Sequence, residues 1–163
     1  MIEDPYVAIP QLIYRYARAL DRLDAGLLDR VFAVDATIEL GAIFTGSPAD
    51  FIPVMQGFMG SMAATRHEVS NILIELTGDR AGVESYVTAW HRIDGPGGTQ
   101  ELIVRARYLS TAARIGGVWR LVRHSEVADW GSLAPADPAW FDGNTELPQG
   151  RRGRGDASYA VLA

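Results

Sequence analysis

Three histidines, His67, His91 and His124, are the side chains of this 163-residue chain whose ordinary chemistry moves a proton near neutral pH. Two absences narrow the chemistry around them. The chain has no cysteine, which excludes a thiol nucleophile, a disulfide scaffold and a cysteine-bound metal. It also has no lysine: all fifteen basic side chains are arginine, so a Schiff base and a lysine-anchored pyridoxal cofactor are excluded. Arginine does not shuttle protons at neutral pH. Proton transfer therefore falls to the histidines and to whichever carboxylates the fold perturbs.

Elimination beside a carbonyl needs such a set: a base for the α-proton and a donor for the enolate or leaving oxygen. His67 stands near the start of "ATRHEVSNILIEL" (64–76), an otherwise apolar strand pattern. There it is either a locally satisfied core imidazole or a base at the mouth of a pocket. His91 ends "AGVESYVTAWH" and His124 ends "GVWRLVRH". Asp21 lies in "YRYARALDRLD", near a helix C-terminus, where the helix dipole disfavours a carboxylate. It is either a solvated acid between helices or the orienting partner of a base. Two histidines and a carboxylate could ligate a metal, but no ligand-spacing motif supports one.

The elements that must position these residues are legible in the spacing. Asp4-Pro5 is a helix start, and apolar residues recur at Tyr6, Ile9, Ile13, Tyr16, Ala17 and Leu20. Pro10 falls late for a first turn, so the regular helix is expected from about Ile9. Asp24 caps a second short helix through Leu27, Leu28, Val31 and Phe32; "ATIELG" (36–41) is a short strand; Ser47 and Pro48 open a third helix over 47–62. Long strands follow over 64–77, 80–93, 100–113 and 117–128, with turns at Gly78-Asp79 and Gly116-Gly117 and a longer loop at 94–98. Helices first and an antiparallel meander after them predict an α+β fold, a curved, mainly antiparallel sheet around three N-terminal helices. All three histidines fall in the meander. On it, Arg123 lies opposite in pleat to His124, so one of the two faces the pocket, and His124 is expected to. Tyr14 and Tyr16 could equally pack the first helix on the sheet, and Trp90, Trp119 and Trp130 read as core or interface.

The segments "YARALDRLD", "FAVDATIEL", "TRHEVSN", "GDRAGVESYVTAWH" and "GGVWRLVRHSEVADW" together resemble the SnoaL-like branch of the NTF2-like superfamily, over about residues 9–130. That branch contains scytalone dehydratase, bile-acid 7α-dehydratase and hexachlorocyclohexane dehydrochlorinase, and the resemblance implies a cone-shaped α+β barrel. It further implies that Asp21 and His67 form an Asp-His dyad, with His67 as general base. By the same resemblance Tyr16, His91 and His124 are substrate-binding: Tyr16 matches a tyrosine of the bile-acid enzyme and His91 a second pocket histidine of scytalone dehydratase. His124 falls where the dehydrochlorinase carries an arginine. The chain departs from scytalone dehydratase at Leu20 and Leu40, which replace two tyrosines that activate its substrate carbonyl.

The expected activity is a cofactor-independent lyase, dehydratase-like, acting on a cyclic or polycyclic apolar molecule. The alternatives are an isomerase or cyclase using the same dyad, and a non-catalytic binding protein or dioxygenase small subunit. No cofactor and no metal are expected. A net charge of −5 offers no basic field for nucleic acid. No apolar run approaches a membrane span and the N-terminus lacks the order of a signal peptide, so a cytoplasmic protein is expected. An apolar outer sheet face with arginines suggests a homo-oligomer, trimer or dimer. Residues 1–142 are expected to form the domain and 143–163, rich in Gly and Arg, a flexible tail.

Overall fold

In a computed structural model, residues 3–162 are described; Met1, Ile2 and Ala163, the last residue of the expected tail, lie outside them. Helix α1 (Pro5–Arg22) opens on the Asp4 side chain, which accepts from the Tyr6 N–H, and buries Ile9, Leu12, Ile13, Tyr16 and Leu20. It begins at Pro5 rather than near Ile9. Pro10 is carried inside it, forfeiting a single backbone bond toward the exposed Tyr6. Leu23 ends the helix in the left-handed region (φ 52°), and the Asp24 N–H closes back on the Ala19 carbonyl. This abrupt stop fixes Asp21 in the last turn.

Helix α2 is a single turn (Ala25–Leu28), shorter than the expected run through Phe32. Val31 and Phe32 leave it because their apolar side chains are drawn into the sheet layer, where strand β1 (Phe32–Glu39) starts earlier than the sequence suggested. A two-residue strand β2 (Thr45–Gly46) precedes helix α3 (Pro48–Gly60). Four long strands complete the sheet: β3 (Ala64–Thr77), β4 (Arg80–Gly95), β5 (Gly98–Ile115) and β6 (Val118–Pro135). The loop expected at 94–98 tightens to a two-residue turn at Pro96-Gly97, made possible by Gly98 at φ 100°.

The six strands lie in the order β2-β1-β6-β5-β4-β3. All pairs are antiparallel except β1–β6, which is parallel, so the two ends of the chain's α+β order meet in mid-sheet. The sheet is curved and unclosed, an open cone, and α1 and α3 fill its concave side. Their apolar faces meet Val83, Val87, Ala106, Tyr108, Trp119 and Leu121 in one continuous core. No helix among the described residues is long and apolar enough to cross a membrane.

Two irregularities govern which residues of β6 enter the cone. In the β5–β6 ladder Ala112 pairs with Leu121 and Thr111 with Arg123, leaving Val122 as an extra residue. Before it, Trp119 and Leu121 face inward; after it His124, Glu126 and Ala128 do, until a second extra residue, Asp129, turns Trp130 outward beside Arg105. His124 and Glu126 consequently point into the cone, and Arg123 turns out to pair with Glu39 at 2.7 Å.

Beyond β6, helix α4 (Ala139–Gly143) and two short 3-10 turns (Gly153–Gly155 and Ala157–Ala160) carry the chain back to α1. Arg18 Nη1 of α1 donates to Ser158 Oγ (3.1 Å), Tyr159 Oη donates to Asp24 before α2 (2.6 Å), and Arg152 donates to the Met59 carbonyl of α3.

Candidate active site

Asp21 and His67 come from opposite layers, the last turn of α1 and the edge strand β3. An Asp21 Oδ1 lies 2.7 Å from His67 Nδ1. The same carboxylate accepts the His67 backbone N–H through Oδ2 (3.0 Å) and the Thr65 hydroxyl through Oδ1 (3.2 Å). These donors offset the unfavourable helix-end position that the sequence flagged. An ionised carboxylate only accepts, so in this contact Nδ1 is the donor, and a neutral His67 so oriented carries its lone pair on Nε2. The His67 side chain is only 4% exposed. His67 lines the inner cavity, whereas Asp21 lies outside it and borders a shallow outer cleft that His67 also reaches.

The cavity, about 230 Å³, lies between α1, α3 and the sheet. Its walls are overwhelmingly apolar; α3 contributes Phe51, Met55 and Met59. Leu20 and Leu40, the two positions singled out as departures, both line it. Few polar side chains interrupt the walls: Tyr16, His67, His91, Tyr108 and Glu126. Such a space, mostly apolar with a few convergent polar groups, fits an organic small molecule. Among the described residues, no three His, Asp and Glu side chains gather into a metal-binding group.

His91 reaches the cavity because β4 alternates strictly, with Val83, Ser85, Val87, Ala89 and His91 inward. Its ring meets that of His67 edge-on at 5.5 Å. Burial, with the neighbouring His67 acting in the same direction, pushes it down to about 4, so it stands neutral at neutral pH. Its Nδ1 is buried without a protein partner.

Tyr16 also lines the cavity, buried and stacked among Phe51, Phe32 and Tyr108. Desolvation holds its phenol well above the ordinary range, with Glu126 adding to the effect. It is a neutral donor.

His124 was expected to face the pocket, and the structure places it behind the wall instead. It is fully buried, its ring 4.4 Å from that of Tyr16 and 4.9 Å from that of Tyr108. Nδ1 shares a hydrogen bond with Ser110 Oγ (2.9 Å), and burial drives its pKa down to about 3. The pleat phase was right. What the pleat does not give is depth, and at this level of the cone the two tyrosines stand between His124 and the cavity.

Two cavity residues escaped the sequence reading, Tyr108 and Glu126. They are direct partners across the β5–β6 ladder. The signal for Glu126 was its spacing of two from His124, which puts both on one face of the strand. Burial raises the Glu126 carboxyl, and His67 opposes this only in part.

A model of the SnoaL-like domain family matches residues 4–125. Among solved structures, the Kfla4162 protein of Kribbella flavida superposes with a TM-score of 0.71 at 24% identity, covering 78% of this chain and 92% of that one. A scytalone-dehydratase-like protein of Novosphingobium aromaticivorans gives 0.70 at 22% identity, covering 81% and 89%. A LinA-type3 hexachlorocyclohexane dehydrochlorinase from Novosphingobium barchaimii gives 0.73 at 18%, covering 81% and 91%. At these identities the likeness is one of fold. No curated protein matches the sequence.

Proposed function

The chain belongs to the SnoaL-like domain family, and from that premise we propose that it is a cofactor-independent lyase, dehydratase-like, acting on a cyclic apolar molecule. The observation that carries this reading is the 2.7 Å contact between Asp21 and His67 Nδ1 at the wall of an apolar cavity. His67 Nε2 removes a proton α to a carbonyl. Asp21 fixes the tautomer and stabilises the imidazolium that forms, the role an orienting carboxylate plays in a triad. Neutral His91 and Tyr16 donate hydrogen bonds to the developing enolate. The apolar walls exclude water from the intermediate and select a flat, weakly polar ring system.

The test begins with a thermal-shift screen of cyclic ketones and alcohols, followed by mass spectrometry of the products. Loss of water from a stabilising compound is the expected result. Products of unchanged mass would replace the lyase reading by isomerisation or cyclisation. Compounds that bind and remain chemically intact, with no α-hydrogen exchange in D₂O, would make the protein a binding module.

A further inference from the structure

The elimination leaves one proton unassigned, the one the departing oxygen needs. We propose that Glu126 is the catalytic acid that supplies it, opposite His67 in the same cavity. This rests on the elimination reading above.

The placement carries the inference. Glu126 follows His124 on the inward face of β6, pairs with Tyr108 across the ladder, and lines the cavity that His67 and His91 also line. The sheet wall of that cavity is otherwise formed largely by Val87, Ala89, Leu102, Val104 and Ala106, which offer a carboxylate nothing. No arginine or histidine among the described residues lies within ion-pair distance of it. An ionised, unpaired carboxylate in such surroundings is costly, and burial raises the carboxyl toward its protonated form. The titratable groups lining this cavity are Tyr16 from α1, His67 from β3, His91 from β4 and Tyr108 from β5. Of these only His67 favours the charged carboxylate, and burial outweighs it.

The other donors are poorly suited to protonating a leaving oxygen. His91 is neutral, and a neutral imidazole gives up its N–H proton only to a very strong base. Tyr16 and Tyr108 are buried phenols held above their ordinary range, able to donate hydrogen bonds but not to release protons readily. A carboxylic acid is the strongest acid in the cavity. Groups whose surroundings push their protonation apart mark the acid and the base of a reaction.

The step balances. His67 Nε2 takes the α-proton and its electron pair forms the C=C bond. The C–O bond breaks toward oxygen, which takes the Glu126 proton and leaves as water. His67 is then an imidazolium and Glu126 a carboxylate, and the proton returns from one to the other as the product departs.

Two measurements test the assignment. Infrared titration of the full-length protein reads the Glu126 proton without any substrate: at pH 7 the wild type should show a protonated-carboxyl band that Glu126→Gln removes and His67→Ala retains. With cyclic β-hydroxyketones in D₂O, Glu126→Gln should lower water loss by about 10²–10⁴-fold while α-hydrogen exchange continues. Glu126→Asp should restore part of the loss and keep the same acid-to-base pH limb. A Glu126 ionised at pH 7, or exchange and elimination falling together in both Glu126 variants, would overturn the proposal. A protonated Glu126 in a wild type that exchanges no α-hydrogen from any of these ketones would instead overturn the elimination reading and, with it, the acid's task.

Discussion

His124 Nδ1 and Ser110 Oγ meet at 2.9 Å across the β5–β6 ladder, inside a shell of Tyr16, Tyr108 and Phe32. Ser110→Ala leaves the buried imidazole without its partner and should cost about 1–3 kcal/mol. Because His124 does not line the cavity, turnover per folded molecule should stay near wild type. Urea melts beside kinetics check this; a variant of full stability and low activity would place His124 in the reaction.

The same burial sets an acid dependence. His91 and His124 hold folded-state pKa values of about 4 and about 3, against roughly 6.5 for an unfolded histidine. Below pH 6.5 the unfolded chain takes up protons that the folded one refuses, so stability falls as pH drops toward 4, by on the order of 1 kcal/mol per pH unit for each histidine. Glu126 acts oppositely: its raised carboxyl binds a proton more tightly when folded, and its contribution is lost as pH rises through that raised value. His124→Gln should flatten the acid limb. Denaturation midpoints from pH 4 to 7 measure it.

Asp21→Asn and His67→Ala should each lower turnover of a true substrate by about 10²–10⁴-fold. The amide at position 21 no longer stabilises an imidazolium and can turn its NH₂ toward Nδ1, moving the free lone pair to the wrong nitrogen. His67→Ala should melt close to wild type, since the imidazole borders a cavity that water can enter. A large drop in melting temperature with specific activity intact would make His67 a core residue.

Asp156 organises residues 151–160. Its carboxylate accepts the Arg151 N–H at 2.8 Å and the Ser158 N–H at 3.0 Å, with Arg22 at 3.4 Å, and these hold it below the usual carboxylate range. Asp156→Ala should free residues 151–160 from α1, seen as faster hydrogen exchange there. The midpoint of global unfolding should shift little, because the continuous core contains none of these residues.

The outer sheet face exposes Tyr86, Val127 and Trp130, the last with Arg105 over its ring at 4.0 Å. We expect a homo-oligomer that covers this patch. Light scattering should return a multiple of 17.7 kDa at micromolar concentration; a 17.7 kDa particle would refute it.

Much of the fold was legible because its signals are local. The strands over 64–77 and 80–93 read directly from their apolar residues and bounding turn glycines, whereas the inward placement of His91 is seen only in the folded sheet. The second helix was overread: Val31 and Phe32 have helical spacing from Leu27 and Leu28, yet burial in the sheet layer outweighs it. The segment 143–162, set apart on composition, meets Arg18 of α1, Asp24 at the start of α2 and Met59 of α3 through Ser158, Tyr159 and Arg152, contacts that no local pattern reveals.

The sequence by itself determined which chemistry was available: no thiol, no amine, three histidines on strands and an aspartate at a helix end. Residue types and pleat phase are local properties, and they travel with the chain. The tertiary structure decided which groups meet and how deep each lies. It joined Asp21 to His67 across 46 residues, shifted the face of β6 by one extra residue at Val122, and screened His124 behind Tyr16 and Tyr108. It also set Glu126 in an apolar wall, with no arginine or histidine among the described residues within ion-pair distance. Proton affinity depends on solvent access and on neighbours from other strands, and only the folded cone supplies those.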